Sequence, residues 1–120
     1  MEDLHAPRID RLVRETVPEV LKAIQVDEAA KLFSNLAPIR NPKGAKLAHG
    51  MLMRLLESLG RAEKRATEVC NMPTAPGLEH VAREAGKKRK AQIQEAIAKV
   101  SAVTSKVQEY ISRREVSLPN

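Results

Sequence analysis

The 120-residue chain has no tryptophan, one phenylalanine (Phe33), one tyrosine (Tyr110) and one cysteine (Cys70). A β-sandwich or barrel needs β-branched and aromatic residues in short alternating runs, and none occur, so sheet is not expected anywhere. A single cysteine cannot close an intramolecular disulfide. Met1–Ile9 carries charges and a proline where a signal peptide needs an apolar run, so an intracellular setting, cytoplasmic or nuclear, is expected. No stretch approaches the roughly 20 apolar residues of a membrane span.

The parts for catalysis and metal binding are also scarce. The only aspartates are Asp3, Asp10 and Asp27, all in the first quarter, and no GxSxG, Walker-type or GxGxxG loop is present to hold a nucleophile or a phosphate. His5, His49 and His80 never stand three or four residues apart, and there is no CxxC or HExxH spacing. Cys70, near a helix C-terminus, faces the wrong end of the dipole for thiolate activation. Met51, Met53 and Met72 are too dispersed for a methionine groove. Phe33 and Tyr110 supply no stacking platform for unpaired bases. The expectation is a protein without catalytic residues, metal or cofactor that works by binding.

What the chain does have is aliphatic helical periodicity. Ile9, Leu12, Val13, Val17, Val20, Leu21 and Ile24 form one stripe from about Arg8, interrupted at Pro18 by a kink or by two short helices meeting at Thr16–Pro18. A second short helix is predicted from an Asp27 N-cap, burying Ala30, Leu32, Phe33 and Leu36 and ending at Pro38. Asn41-Pro42 then reads as an N-cap followed by proline at the first helical position.

The helix opened there, about 42–71, carries the best pattern in the chain. Ala48, Leu52, Leu55, Leu59, Ala62, Ala66 and Val69 alternate steps of four and three, with Leu47, Met51 and Leu56 on the flanks. Gly50 and Gly60 lower helix propensity but would permit close approach if they faced a partner. Met72–Gly77, with two prolines and a glycine, is predicted to be a loop. A final helix, about 78–113, repeats the spacing through Ile93, Ile97, Val100, Thr104, Val107 and Ile111; its first half has a weaker stripe of Leu78, Val81, Ala82 and Ala85.

The predicted fold is therefore all-α: a small helical bundle built on a long antiparallel helical hairpin (about 42–71 and 78–113) with shorter N-terminal helices over 8–36. It forms a single helical domain, 1–116, with a frayed tail at 117–120. At about 1.5 Å per residue each long helix reaches roughly 45–55 Å. The short N-terminal helices cannot cover that length, and a homo-oligomer, a dimer first, is expected.

The net charge of +6 is uneven: residues 1–40 carry −1, 41–77 carry +3 and 78–120 carry +4. Lys87-Lys88-Arg89-Lys90 covers every side of a helix, so it cannot lie in a buried seam. If the hairpin turns near Thr74–Ala75, residues whose numbers sum to about 149 stand side by side. Arg61, Lys64 and Arg65 then converge with Lys87, Lys88, Arg89 and Lys90, offset in part by Glu63 and Glu84. Two function classes follow. One is binding of double-stranded nucleic acid through these seven residues by backbone charge and shape; the other is a helical adaptor or assembly protein docking through exposed heptad surfaces. The basic run is then a solvated surface or an import signal. Asn41-Pro42-Lys43-Gly44 with Lys46 could hold one anion at a helix start, although an ordinary cap and turn accounts for it more simply.

Overall fold

The computed structural model describes residues 5–71, 77 and 79–117, with side-chain environments over 5–68, at 77 and 81, and over 83–113. Every regular element in it is helical. They are α1 (Ala6–Arg11), a π-helical turn (Leu12–Thr16), α2 (Val17–Ala23), α3 (Asp27–Ser34), α4 (Pro42–Asn71) and α5 (Glu79–Ser117). The long helices α4 and α5 pack against each other as the hairpin predicted from the heptad spacing. Of the predicted loop at Met72–Gly77, residues 72–76 fall outside what is described, as do the packing of Val69, Leu78 and Ala82 and residues 118–120 of the predicted tail at 117–120, whose first residue, Ser117, instead ends α5.

The first three segments run on as one helix over 6–23, and the π turn shows how the sequence carries Pro18 through it. In a regular α-helix the Pro18 ring would collide with the Arg14 carbonyl. The preceding turn is widened instead, and the Val17 N–H reaches back five residues to the Leu12 carbonyl. The helix neither breaks nor divides, and Pro18 itself is buried. Ala6, Ile9, Val13, Val17, Leu21 and Ile24 form its buried stripe.

This stripe lies antiparallel to α5 over about Gln92 to Arg113. Arg8 and Leu12 stand beside Lys106 and Glu109, while Val20 and Ala23 stand beside Ala96 and Lys99. That contact widens the α5 seam. Ala96, Val103 and Tyr110 are buried along with Ile93, Val100, Thr104, Val107 and Ile111, and the predicted Ile97 is only half-buried. Thr104 satisfies its buried hydroxyl by donating to the Val100 carbonyl at 2.8 Å.

The turn after α2 is a Schellman motif. The Val26 N–H donates to the Leu21 carbonyl at 2.9 Å and the Gln25 N–H to the Lys22 carbonyl at 3.0 Å, with Gln25 left-handed at φ 63°. Helix α3 folds back on α2 and the π turn. Val26 is its N-cap, so Asp27 is the first helical residue and does not cap with its side chain. Two turns resting on one neighbour bury only one stripe, Ala30 and Phe33; Leu32 points away and is 56% exposed, against expectation. The linker then returns to α1, where the Asp10 carboxylate accepts the Ile39 N–H at 2.9 Å and pairs with Arg14 at 3.1 Å. Ile39 seals the core there.

Asn41 caps α4 as predicted, its side-chain oxygen accepting the Gly44 N–H at 3.0 Å. Within α4 the seam residues Ala48, Leu52, Leu55, Leu59 and Ala66 are buried, joined by Ala45. Leu47, expected on the flank, is 71% exposed. Gly50 and Gly60 also depart from expectation: both are exposed, and a Cβ at either would meet nothing within 4 Å. The result is an elongated slab with extents of 67 × 25 × 15 Å, thin because the N-terminal helix, α5 and α4 lie in essentially one layer.

Two outcomes follow for stability. Leu52 is fully buried, so Leu52→Ala should cost about 2–5 kcal/mol, whereas Leu47→Ala should stay within about 0.5 kcal/mol. Urea unfolding followed by circular dichroism separates the two. Gly50→Ala and Gly60→Ala should each stabilise the protein by about 0.5–1 kcal/mol, since alanine restores helix propensity without a clash. Loss of stability on either change would mean that those glycines meet a neighbour.

Candidate nucleic-acid interface

The N-terminal helix ends before α5 begins. Its last carbonyls lie at Ile24, level with Arg89, so about three turns of α5, Glu79 to Arg89, project past it with α4 as their neighbour. The predicted basic residues gather around this step from three helices to two. Residues 59–90 hold eight Lys/Arg and four Asp/Glu, contributing +4 of the net +6.

The hairpin register fixes how the two clusters meet. The Gln94 side-chain amide donates to the Glu63 carboxylate at 3.2 Å, a pair whose numbers sum to 157 rather than 149. Long helical side chains lean toward the N-terminus of their own helix, so across an antiparallel pair they lean toward one another. The backbone level therefore lies a few residues below 157, displaced by about one turn from the sequence expectation. This keeps Lys64 and Arg65 roughly level with Lys88, Arg89 and Lys90. Arg61 is displaced toward the three-helix body, beside the stretch that begins at Ala91.

The side chains do not share one face. Arg89 continues the buried seam of α5, three- and four-residue steps linking it to Ile93, Ala96 and Val100. Half-buried there, its guanidinium donates to the Ile24 carbonyl at 2.7 Å. Positive charge on a carbonyl at a helix C-terminus complements the dipole, and the charge-assisted bond satisfies an acceptor that the Schellman turn leaves open. Lys87, Lys88 and Lys90 radiate in other directions at about 100° per residue. Lys87 and Lys88 are exposed and Lys90 is half-buried; Arg61, Lys64 and Arg65 are exposed. Among the described residues, none of these six makes an ion pair or a hydrogen bond.

Arg83 belongs with them. It is exposed and unpaired among the described residues, one turn toward the tip from Lys87. Its i, i+4 spacing to Lys87 was the available signal. Against the charge stand Glu63, engaged by Gln94, and the exposed Glu68 and Glu84. The arrangement is a basic collar around the hairpin at its step. At the start of α4 the Asn41 side chain occupies the Gly44 N–H, as an ordinary cap does.

Among the described residues no cluster of three His, Cys, Asp or Glu side chains is placed to hold a metal, and no helix is long and apolar enough to cross a membrane. The fold defines an all-α hairpin bundle. Beyond that class, the chain matches no protein-family model, no curated protein and no solved structure.

The collar makes the four consecutive cations separable. Arg89→Gln should destabilise the protein by about 1.5–3 kcal/mol through loss of the charged bond to Ile24. Lys88→Gln, one residue away, should be neutral within about 0.5 kcal/mol. Equal effects in thermal unfolding would show that the Ile24 contact contributes nothing.

Proposed function

We propose that this is a non-catalytic binding protein that holds double-stranded nucleic acid through the basic collar, by backbone charge and shape, and that it acts as a homo-oligomer. The observation that carries the proposal is the set of six cations, Arg61, Lys64, Arg65, Lys87, Lys88 and Lys90, gathered within a short stretch of the hairpin and without an ion pair or hydrogen bond among the described residues. Like charges held close repel, and a polyanion relieves that repulsion while releasing its own condensed counterions. Arg89 adds the guanidinium donors that Ile24 leaves unused. Two helices side by side measure roughly 20 Å across, too broad for a major groove about 12 Å wide. The contacts are therefore to phosphates along the groove walls, with little reading of bases.

Self-association is proposed from the shape. A slab one layer thick leaves Leu56 and Ile97 only half-covered on the hairpin, and a second copy would add to their burial. The second function class, a protein adaptor, is favoured by large apolar side chains more than half exposed on α3, α4 and α5: Leu32, Leu47 and Val81.

With about five phosphate contacts, affinity for duplex DNA should fall with salt on a log–log slope near −4 to −5. Changing Lys87, Lys88 and Lys90 together to glutamine should weaken binding alike for all sequences and leave helicity unchanged. Changing Arg61, Lys64 and Arg65 together should do the same if the register above is correct. Mobility shifts at several salt concentrations measure both. If the wild-type protein binds neither duplex DNA nor duplex RNA at low salt, where attraction is strongest, the collar is only solvated surface and the adaptor takes first place.

A further inference from the structure

At the opposite end of the slab, a groove of about 610 Å³ lies between α1 and the Lys106–Arg113 stretch of α5. Its floor is apolar: Ile9 and Tyr110 are 6% and 5% exposed, and Leu12 is half-buried. Its rim is basic. Arg113 is paired with Glu109 one turn earlier, which cancels that charge locally. Arg8 on one wall and Lys106 on the other are exposed and have no ion pair or hydrogen bond among the described residues.

We propose that this groove binds an amphipathic anion, a medium-chain carboxylate whose apolar body lies on Ile9, Leu12 and Tyr110 and whose head group is held between Arg8 and Lys106. The volume lies within the range of about 300–1,000 Å³ over which small-molecule sites are found, and an apolar floor with a few convergent polar groups is their usual build. Two cations on opposing walls, with the nearby carboxylate already engaged, favour an anion over a neutral or cationic ligand. An inorganic anion would leave the apolar floor wet, and a neutral hydrocarbon would leave both cations unanswered. The groove is about 25 Å along α5 from the collar, so this site does not depend on nucleic-acid binding.

The composition supplies its own probe. With no tryptophan and one tyrosine, intrinsic emission comes from Tyr110 alone, in the floor of the groove. Titration of the wild-type protein with sodium octanoate should change that emission saturably, while acetate and 1-octanol at equal concentrations should not. Arg8→Gln with Lys106→Gln should weaken octanoate about tenfold, which corresponds to about 1.4 kcal/mol, with the helical signal in circular dichroism retained. Vesicles of phosphatidylcholine with phosphatidylglycerol test whether the source is a membrane surface. Four outcomes overturn the proposal: no saturable change, equal response to 1-octanol, unchanged affinity in the double variant, or a response to vesicles without one to octanoate.

Discussion

A mismatch of lengths governs this molecule. The N-terminal helix over 6–23 reaches about 27 Å and α5 about 58 Å, at 1.5 Å per residue. The shorter helix lies antiparallel beside α5 from about Arg113 back to Gln92, and its end is tied to Arg89. Inside that limit α5 has two neighbours and buries a broad surface, with Ala96, Val103 and Tyr110 added to the seam facing α4. Toward the tip α4 is its one neighbour among the described residues, Val81 and Ala85 are exposed, and cations can occupy nearly every direction around the helix. The body and the collar are two consequences of one difference in length.

At the boundary a single contact ties the two regions together. A Schellman turn satisfies the Leu21 and Lys22 carbonyls through the backbone of Val26 and Gln25, at the cost of a left-handed glutamine. The Ile24 carbonyl then points outward to Arg89. An apolar residue at position 89 would continue the seam past the end of its second neighbour and expose itself. An arginine covers the last apolar rung with its methylene stem and satisfies the helix end with its guanidinium. Arg89 is thus the point at which the core stops and the basic surface begins.

The sequence carried the hairpin because long helices average over many positions. Ala48 to Ala66 repeat often enough that one or two misplaced residues do not change the face they define, and the Asn41-Pro42 cap is a local signal that needs no tertiary context. The departures are all tertiary. Leu32 and Leu47 fit an apolar pattern but have no helix opposite them, and Gly50 and Gly60 look like contact positions only if a partner is assumed. Pro18 signals disruption, but whether a helix breaks or widens by one residue depends on how firmly it is packed; Val13 within the π turn and Val17 just after it, both wholly buried, hold it together. In the collar, the four consecutive cations were conspicuous. That Arg89 differs from its neighbours became visible only through the 89, 93, 96, 100 spacing and the position of Ile24.

The same layer geometry separates two kinds of surface chemistry at the two ends. Charge at the collar is dense and, Arg89 aside, has no ion pair or hydrogen bond among the described residues, which suits an extended polyanion that offers repeated phosphates and no hydrophobic body. At the far end the cations are fewer and stand above buried Ile9 and Tyr110, which suits a ligand with one charge and an apolar portion. Both lie at the limits of the third helix: one where it stops short of the tip, the other where its first turns meet the Lys106–Arg113 stretch of α5. A longer N-terminal helix would bury the collar face beside it and force its cations to be paired or replaced, because an uncompensated charge is not tolerated in a helix–helix seam.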